Sequence, residues 1–205
     1  MSEAKVERFF ECCLRVGIGR EQIESVWAVV AEGYAQEHRY YHNLSHVGKM
    51  LGWLEQTGQG TVQIELAIWF HDLVYDPSAS QNEQESALAF QRIFAPLLAP
   101  EVIEDVSRLI VATDPKMGRS GADDENLLID IDLSILGAER GDYEQYCAAI
   151  RMEYSMVSDV DFKLGREQVL NRFLSQRIYV TDFFTELEQP ARENISWELG
   201  KLLVA

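Results

Sequence analysis

The sequence predicts an all-α protein folded as a single helical domain, and three observations carry that expectation. Apolar residues recur with helical spacing along almost the whole chain, alternation with a period of two is scarce, and helix start and stop residues punctuate the apolar runs. At 205 residues, 47% of them apolar, the chain is also long enough to bury a substantial core.

Taken in order, the first helix is expected at about 3–16, and Gly17 and Gly19 separate it from a second at about 20–37. Asn43 is a good N-cap for a helix at about 43–57, which Gly58 and Gly60 close. The next helix covers about 61–76, with Pro77 after it, and is followed by helices at about 82–96 and 100–113. The stretch DPKMGRSGADDE (114–125) holds a proline, two glycines and four acids, and is the clearest long loop. Helices at about 124–136, 140–158, 165–175 and 181–203 complete the chain, the last broken or kinked by Pro190. No repeat, low-complexity tract or interdomain linker interrupts this series, so one domain is expected over 1–205.

The formal charge of −16 bears on partners. So acidic a surface repels nucleic-acid backbones, and no cluster of Lys and Arg rises above the background. A small anionic substrate stays compatible with it, because a bound metal reverses the sign of the field inside a pocket. The opening MSEAKVERFF is charged where a signal peptide is apolar, and no stretch approaches the roughly 20 apolar residues of a membrane span. A cytoplasmic location is the expectation. Cys12, Cys13 and Cys147 match neither a disulfide framework nor zinc-finger spacing, and are expected as free thiols.

Chemistry enters with polar residues placed among apolar ones. In IWFHDLVYD (68–76), a helix puts Ala67, Ile68, Val74 and Tyr75 around His71, and Ile68, Trp69, Tyr75 and Asp76 around Asp72. Burying a carboxylate without a partner costs several kcal/mol, so something must compensate. LLIDIDLSIL (127–136) repeats the anomaly. Asp132 has four apolar neighbours on its face, Leu128, Ile129, Ile135 and Leu136, whereas Asp130 has the mixed set Asn126, Leu127, Leu133 and Ser134. The two aspartates lie about 200° apart around a helix, so only one enters a given site, and the apolar face selects Asp132. YYHNLSHVGKMLGWL (40–54) adds His42 and His46 beside the stripe Leu44, Val47, Leu51 and Leu54, while His38 reads as a surface residue. Imidazoles and carboxylates buried on separate helices form a plausible constellation for Mn, Fe, Co, Ni or Zn. The competing reading is a set of core residues satisfied by hydrogen bonds.

The order H…HD…D, with YHNLSHVGKML, AIWFHDLVYDP, NEQESA, DIDLSILG, IRMEY and EQPARENISWEL, resembles the HD superfamily of metal-dependent phosphohydrolases, most closely its small bacterial branch of predicted HD phosphohydrolases. The resemblance covers most of the chain. It implies a helical bundle of the HD-domain type, with a metal-binding core over about 40–140 and C-terminal helices over about 140–203 packed on it. It implies His46, His71, Asp72 and Asp132 as ligands, with His42 behind them or facing substrate. No histidine follows His71, which argues for one divalent ion (Mn, Co, Ni, Fe, Zn or Mg) unless Glu83 adds a ligand.

Glu83 heads the stripe Ala87, Phe90, Phe94 and Leu97, and is the expected general base or water-orienting group; an ordinary acid favoured by a helix N-terminus is the alternative. Lys49, Arg151 and Arg166 are candidates for a phosphate contact, Arg151 first because IRMEY belongs to the branch pattern. Arg192 and Glu193 are expected to tie down the last helix. The implied activity is hydrolysis of a small, nucleotide-like phosphate ester, with Asp72 and Glu83 as catalytic residues and His42, Lys49 and Arg151 facing substrate. No nucleic-acid or membrane partner is expected, and a homodimer is a possible assembly. The alternatives are a metal-stabilised binding module without turnover and, less favoured by the few histidines, a di-iron oxygenase of HD type.

Overall fold

The structure is a computed structural model that describes residues 3–204, with the backbone alone for Val204. Every regular element among these residues is helical: α1 (Glu3–Arg15), α2 (Arg20–Tyr34), α3 (Leu44–Thr57), α4 (Val62–Phe70), α5 (Asn82–Phe94), α6 (Pro100–Ala112), α7 (Asp123–Asp132), α8 (Arg140–Glu153), α9 (Asp159–Leu174) and α10 (Glu188–Val204), with 3-10 turns at Leu133–Gly137 and Asp182–Leu187. The all-α expectation holds. The contacts fall into two compact units, residues 1–128 and 129–205. That boundary lies inside α7, so no Pro, Gly or Ser-rich linker marks it in the sequence. None of the described helices is long and apolar enough to cross a membrane.

In the first unit α4 is the centre. All seven residues from Ile64 to Phe70 are buried, which requires partners on every side of the helix. α1, α3, α5 and α6 supply them. Trp69 meets Phe9 and Trp27 edge to face, and Phe70 meets Phe90 and Phe94 the same way. The one charged residue in this run, Glu65, takes Nε of Arg8 at 3.0 Å and pairs with Arg15, so the buried carboxylate is compensated.

The second unit is organised by α10, which packs on the Leu133–Gly137 turn and on α9. Asn194 on α10 donates to the carbonyls of Leu136 and Ala138, both at 2.8 Å. A Cβ on Gly137 would stand 2.9 Å from the carbonyl oxygen of Leu187, so this close approach needs glycine. Arg192, also on α10, donates to Leu174 and Gln176 at the end of α9 and to Glu188, the tethering role expected of it.

Several boundaries differ from the expected ones, for local reasons. α4 stops at Phe70 rather than near 76, as developed below. α9 begins at Asp159, not 165, because Ser158 caps it by accepting from the amide of Asp161. α8 ends at Glu153 rather than 158. Pro190 is the third residue of α10, where its missing N–H breaks no helical bond, so the helix carries it without interruption.

Candidate metal centre

The site begins where α4 ends, and the carbonyls there can be followed one by one. Ala67 accepts from the amide of His71 at 2.8 Å, and Ile68 from Nδ1 of the same residue at 3.0 Å. Trp69 accepts from the Tyr34 hydroxyl and Phe70 from the amide of Leu73. Asp72 and Leu73 accept from the two terminal nitrogens of Arg39, and Val74 from the hydroxyl of Ser86. The chain thus leaves the helix at His71 because distant side chains replace the helical bonds. The expectation that His71 and Asp72 lie within a helix running to 76 is corrected: they form the turn just past it. α2 passes so close to this turn that a Cβ on Gly33 would stand 2.8 Å from Leu73 Cδ1.

The carbonyl of Ile68 places the Nδ1 proton of His71, leaving Nε2 with its lone pair in the neutral ring. That Nε2 lies 3.3 Å from Nε2 of His46 and 2.9 Å from Oδ2 of Asp72, while Oδ2 is 3.9 Å from Nε2 of His46. Both imidazoles are buried, His46 at 4% and His71 at 1% exposure, and Asp72 is buried with them. One ligand atom each from His46, His71 and Asp132 lies within 4.8 Å of the others, a group that could hold a metal ion. The fit is testable on geometry. Ligand bonds of about 2.0–2.1 Å put adjacent ligand atoms roughly 3.0–3.4 Å apart in octahedral or tetrahedral coordination, and the two Nε2 atoms stand at that spacing. Nε2 of His71 therefore presents its lone pair to a carboxylate and to a second imidazole nitrogen, an arrangement that a shared proton or a metal cation would satisfy.

Electrostatics separate the two acids of this region. Burial acts to raise the pKa of Asp72, but the ring of His71, with His42 and His46, overcomes it and holds the carboxyl far below the usual range. Glu83, half-buried in the first turn of α5, goes the other way. Burial raises it first, with Asp114 and Asp72 adding to the rise and its own backbone amide and Lys116 opposing it. His42 is half-buried, stacked on Tyr75 with ring centroids 4.4 Å apart, and 6.0 Å from the ring of His46.

The remaining sequence candidates are placed as follows. Lys49 is exposed on α3, one turn past His46. Arg151 donates to the carbonyls of Tyr154 and Val157 and to Asp159 at 2.6 Å, which fastens the turn between α8 and α9. Arg166 forms a buried two-pronged pair with Glu198, at 2.7 and 3.0 Å. His38 is half-buried, not a plain surface residue, with Nε2 3.0 Å from the carbonyl of Tyr75. The burial argument for the aspartates is inverted. Asp130 is the fully buried one and accepts from the amides of Val180 and Thr181 and from the Thr181 hydroxyl, whereas Asp132, half-buried, is the one in the cluster. Sequence reasoning passed over Arg39 altogether. Nothing in EHRYYHN marks that arginine for burial.

No family model, curated protein or solved structure matches the chain.

Proposed function

We propose that the protein is a metal-dependent phosphohydrolase acting on a small, nucleotide-like phosphate ester. The observation that carries the reading is the pair of buried imidazole nitrogens 3.3 Å apart, with the buried Asp72 beside them and Asp132 completing the cluster. A divalent ion held there would supply Lewis acidity toward water and toward the phosphoryl group. The residues that would hold it are His46, His71, Asp72 and Asp132, in line with the HD resemblance.

The chain's own groups divide the remaining work. The Nδ1 proton of His71, fixed by the carbonyl of Ile68, keeps that ring in the tautomer that offers Nε2. Asp72 stays ionised: a protonated imidazole beside it favours the charged carboxylate in the ion-free site, and a bound cation would favour it in the same way. Glu83, whose proton affinity is raised by burial and neighbouring acids, would take the proton from the attacking water. His42, on the stacked Tyr75, is the polar ring next out from His46 and would face the ester.

The test is metal content and turnover measured together. The purified protein is loaded with Mn, Co, Ni, Mg or Zn and assayed on panels of phosphomonoesters and phosphodiesters. His71→Ala is expected to lose both the ion and the activity. Undiminished turnover in a metal-depleted sample, or inactivity across the panel at full loading, would end the proposal.

A further inference from the structure

Resting on the metal reading above, we infer that Arg39 is the positioning residue of this site, setting the distance between the segment that carries His42 and His46 and the turn that carries His71 and Asp72. Its guanidinium reaches both. Nη1 donates to the carbonyl of Asp72 at 2.6 Å and to that of His42 at 3.2 Å, while Nη2 donates to Leu73 at 2.9 Å. Nε donates to Gln36 at 2.8 Å. The residue's own carbonyl accepts from the side chain of Asn43, and Asn43 in turn caps α3 by accepting from the amide of Ser45. His46 is the third residue of that helix. One arginine therefore holds the end of α4 and, through Asn43, the beginning of α3.

Arginine is demanded here by geometry and by charge. It is only 6% exposed, and desolvating a guanidinium is costly unless its surroundings replace water. The replacement is the carbonyl-rich end of α4, where the helix dipole favours a cation, together with Tyr34 and Tyr75, whose ring centroids lie 5.2 and 5.4 Å from Cζ. The planar fork serves His42, Asp72 and Leu73 at once. Lysine, a single point charge on a flexible stem, cannot hold three carbonyls in a fixed relation. Tyr75 also carries the stacked ring of His42, so the same packing that covers the guanidinium orients the outer imidazole.

A residue that merely stabilised the fold would lower the melting temperature and leave bound metal unchanged. A positioning residue changes the coordination itself, and outer groups of this kind typically contribute 10- to 100-fold in metal affinity. Co2+ is the probe: its affinity is measured by calorimetry and its coordination by visible absorption, for the full chain, Arg39→Lys, Arg39→Met and Val106→Ala. Val106 is buried on α6, and its truncation serves as a stability control within the same unit. Both Arg39 variants are expected to bind Co2+ at least about tenfold more weakly with a shifted spectrum, with Arg39→Lys recovering part of the loss. Val106→Ala should melt earlier yet bind and absorb like the parent. Parent-like binding by both Arg39 variants, an equal loss in Val106→Ala, or failure of both Arg39 variants to fold would overturn the assignment while leaving the metal reading intact. A parent protein that takes up no Co2+ would remove the metal reading, and this assignment with it.

Discussion

On the proposed reading, the two aspartates of α7 separate a structural from a ligand role within a span of three residues, and removing each should have opposite signatures. Asp130 has no exposed surface and accepts from the Val180 amide at 3.0 Å, the Thr181 amide at 2.8 Å and the Thr181 hydroxyl at 2.6 Å. In Asp130→Ala the hydroxyl can turn elsewhere, but the two amides lose their acceptor. Each such loss costs about 1–3 kcal/mol, and half-burial of both residues favours about 1.5 kcal/mol each, giving a total of about 3 kcal/mol. For a chain of this size that corresponds to a melting temperature lower by roughly 6–12 °C. Asp132 is half-buried, so Asp132→Ala should cost the metal-free protein about 1 kcal/mol or less. It should instead abolish the stabilisation that metal gives the parent, about 2.7 kcal/mol at an ion concentration 100 times the dissociation constant. Differential scanning calorimetry with and without Mn2+, paired with titration of the ion, reads both effects. Metal-induced stabilisation that persists in Asp132→Ala and vanishes in Asp130→Ala would refute the assignment. So would an Asp130→Ala protein that melts with the parent.

Glu83→Gln should raise the stability of the metal-free protein at neutral pH while removing turnover. The folded state raises the pKa of Glu83, so its ionised form opposes folding; the penalty is absent below the ordinary glutamate range and grows as pH rises through the folded value. Melting curves of parent and variant should therefore converge in acid and part toward neutrality; a variant less stable than the parent at pH 7 would contradict this. Arg166→Met should destabilise by roughly 3–5 kcal/mol, since it strands the buried carboxylate of Glu198, whose partners are Arg166 and the hydroxyl of Tyr143 at 2.5 Å. For Glu198, burial raises the pKa but Arg166 and Tyr143 outweigh it, so the pair's contribution is present above the ordinary carboxylate range and lost as pH falls through the lower folded value. A denaturant midpoint that does not move with this substitution would count against the pair.

Most of the helices were legible because each buries a stripe, and a stripe is what periodicity reports; α4, buried on every side, is the exception. The end of α4 was not legible. The sequence stays apolar through Leu73 and Tyr75, which are indeed buried, yet the backbone has already left the helix. What stops it is the guanidinium of Arg39 and the hydroxyl of Ser86, more than ten residues away on either side, and no local pattern encodes such contacts. The same limit explains Asp130. α7 buries Leu127, Leu128 and Ile131, so apolar neighbours surround it on more than one side and do not distinguish a ligand from a core residue. The acceptor role of Asp130 depends on amides 50 residues later in the chain. The ordered series H…HD…D pointed to Asp132 by resemblance, and there it named the aspartate that lies in the cluster.

The environment drives the proton affinities of the two acids of the first unit apart, and that divergence bears on the proposed chemistry. Asp72 lies against an imidazole and stays ionised; Glu83, one helix further along, is raised by burial and by Asp72 itself. Titratable neighbours whose environments separate their proton affinities divide the work between a fixed charge and a proton carrier. On the proposed reading, ion and proton also compete for the same imidazole nitrogens, which stand 3.3 Å apart. Metal affinity should therefore fall as pH drops, and the ion-free site will hold a protonated imidazole against Asp72 in place of the ion.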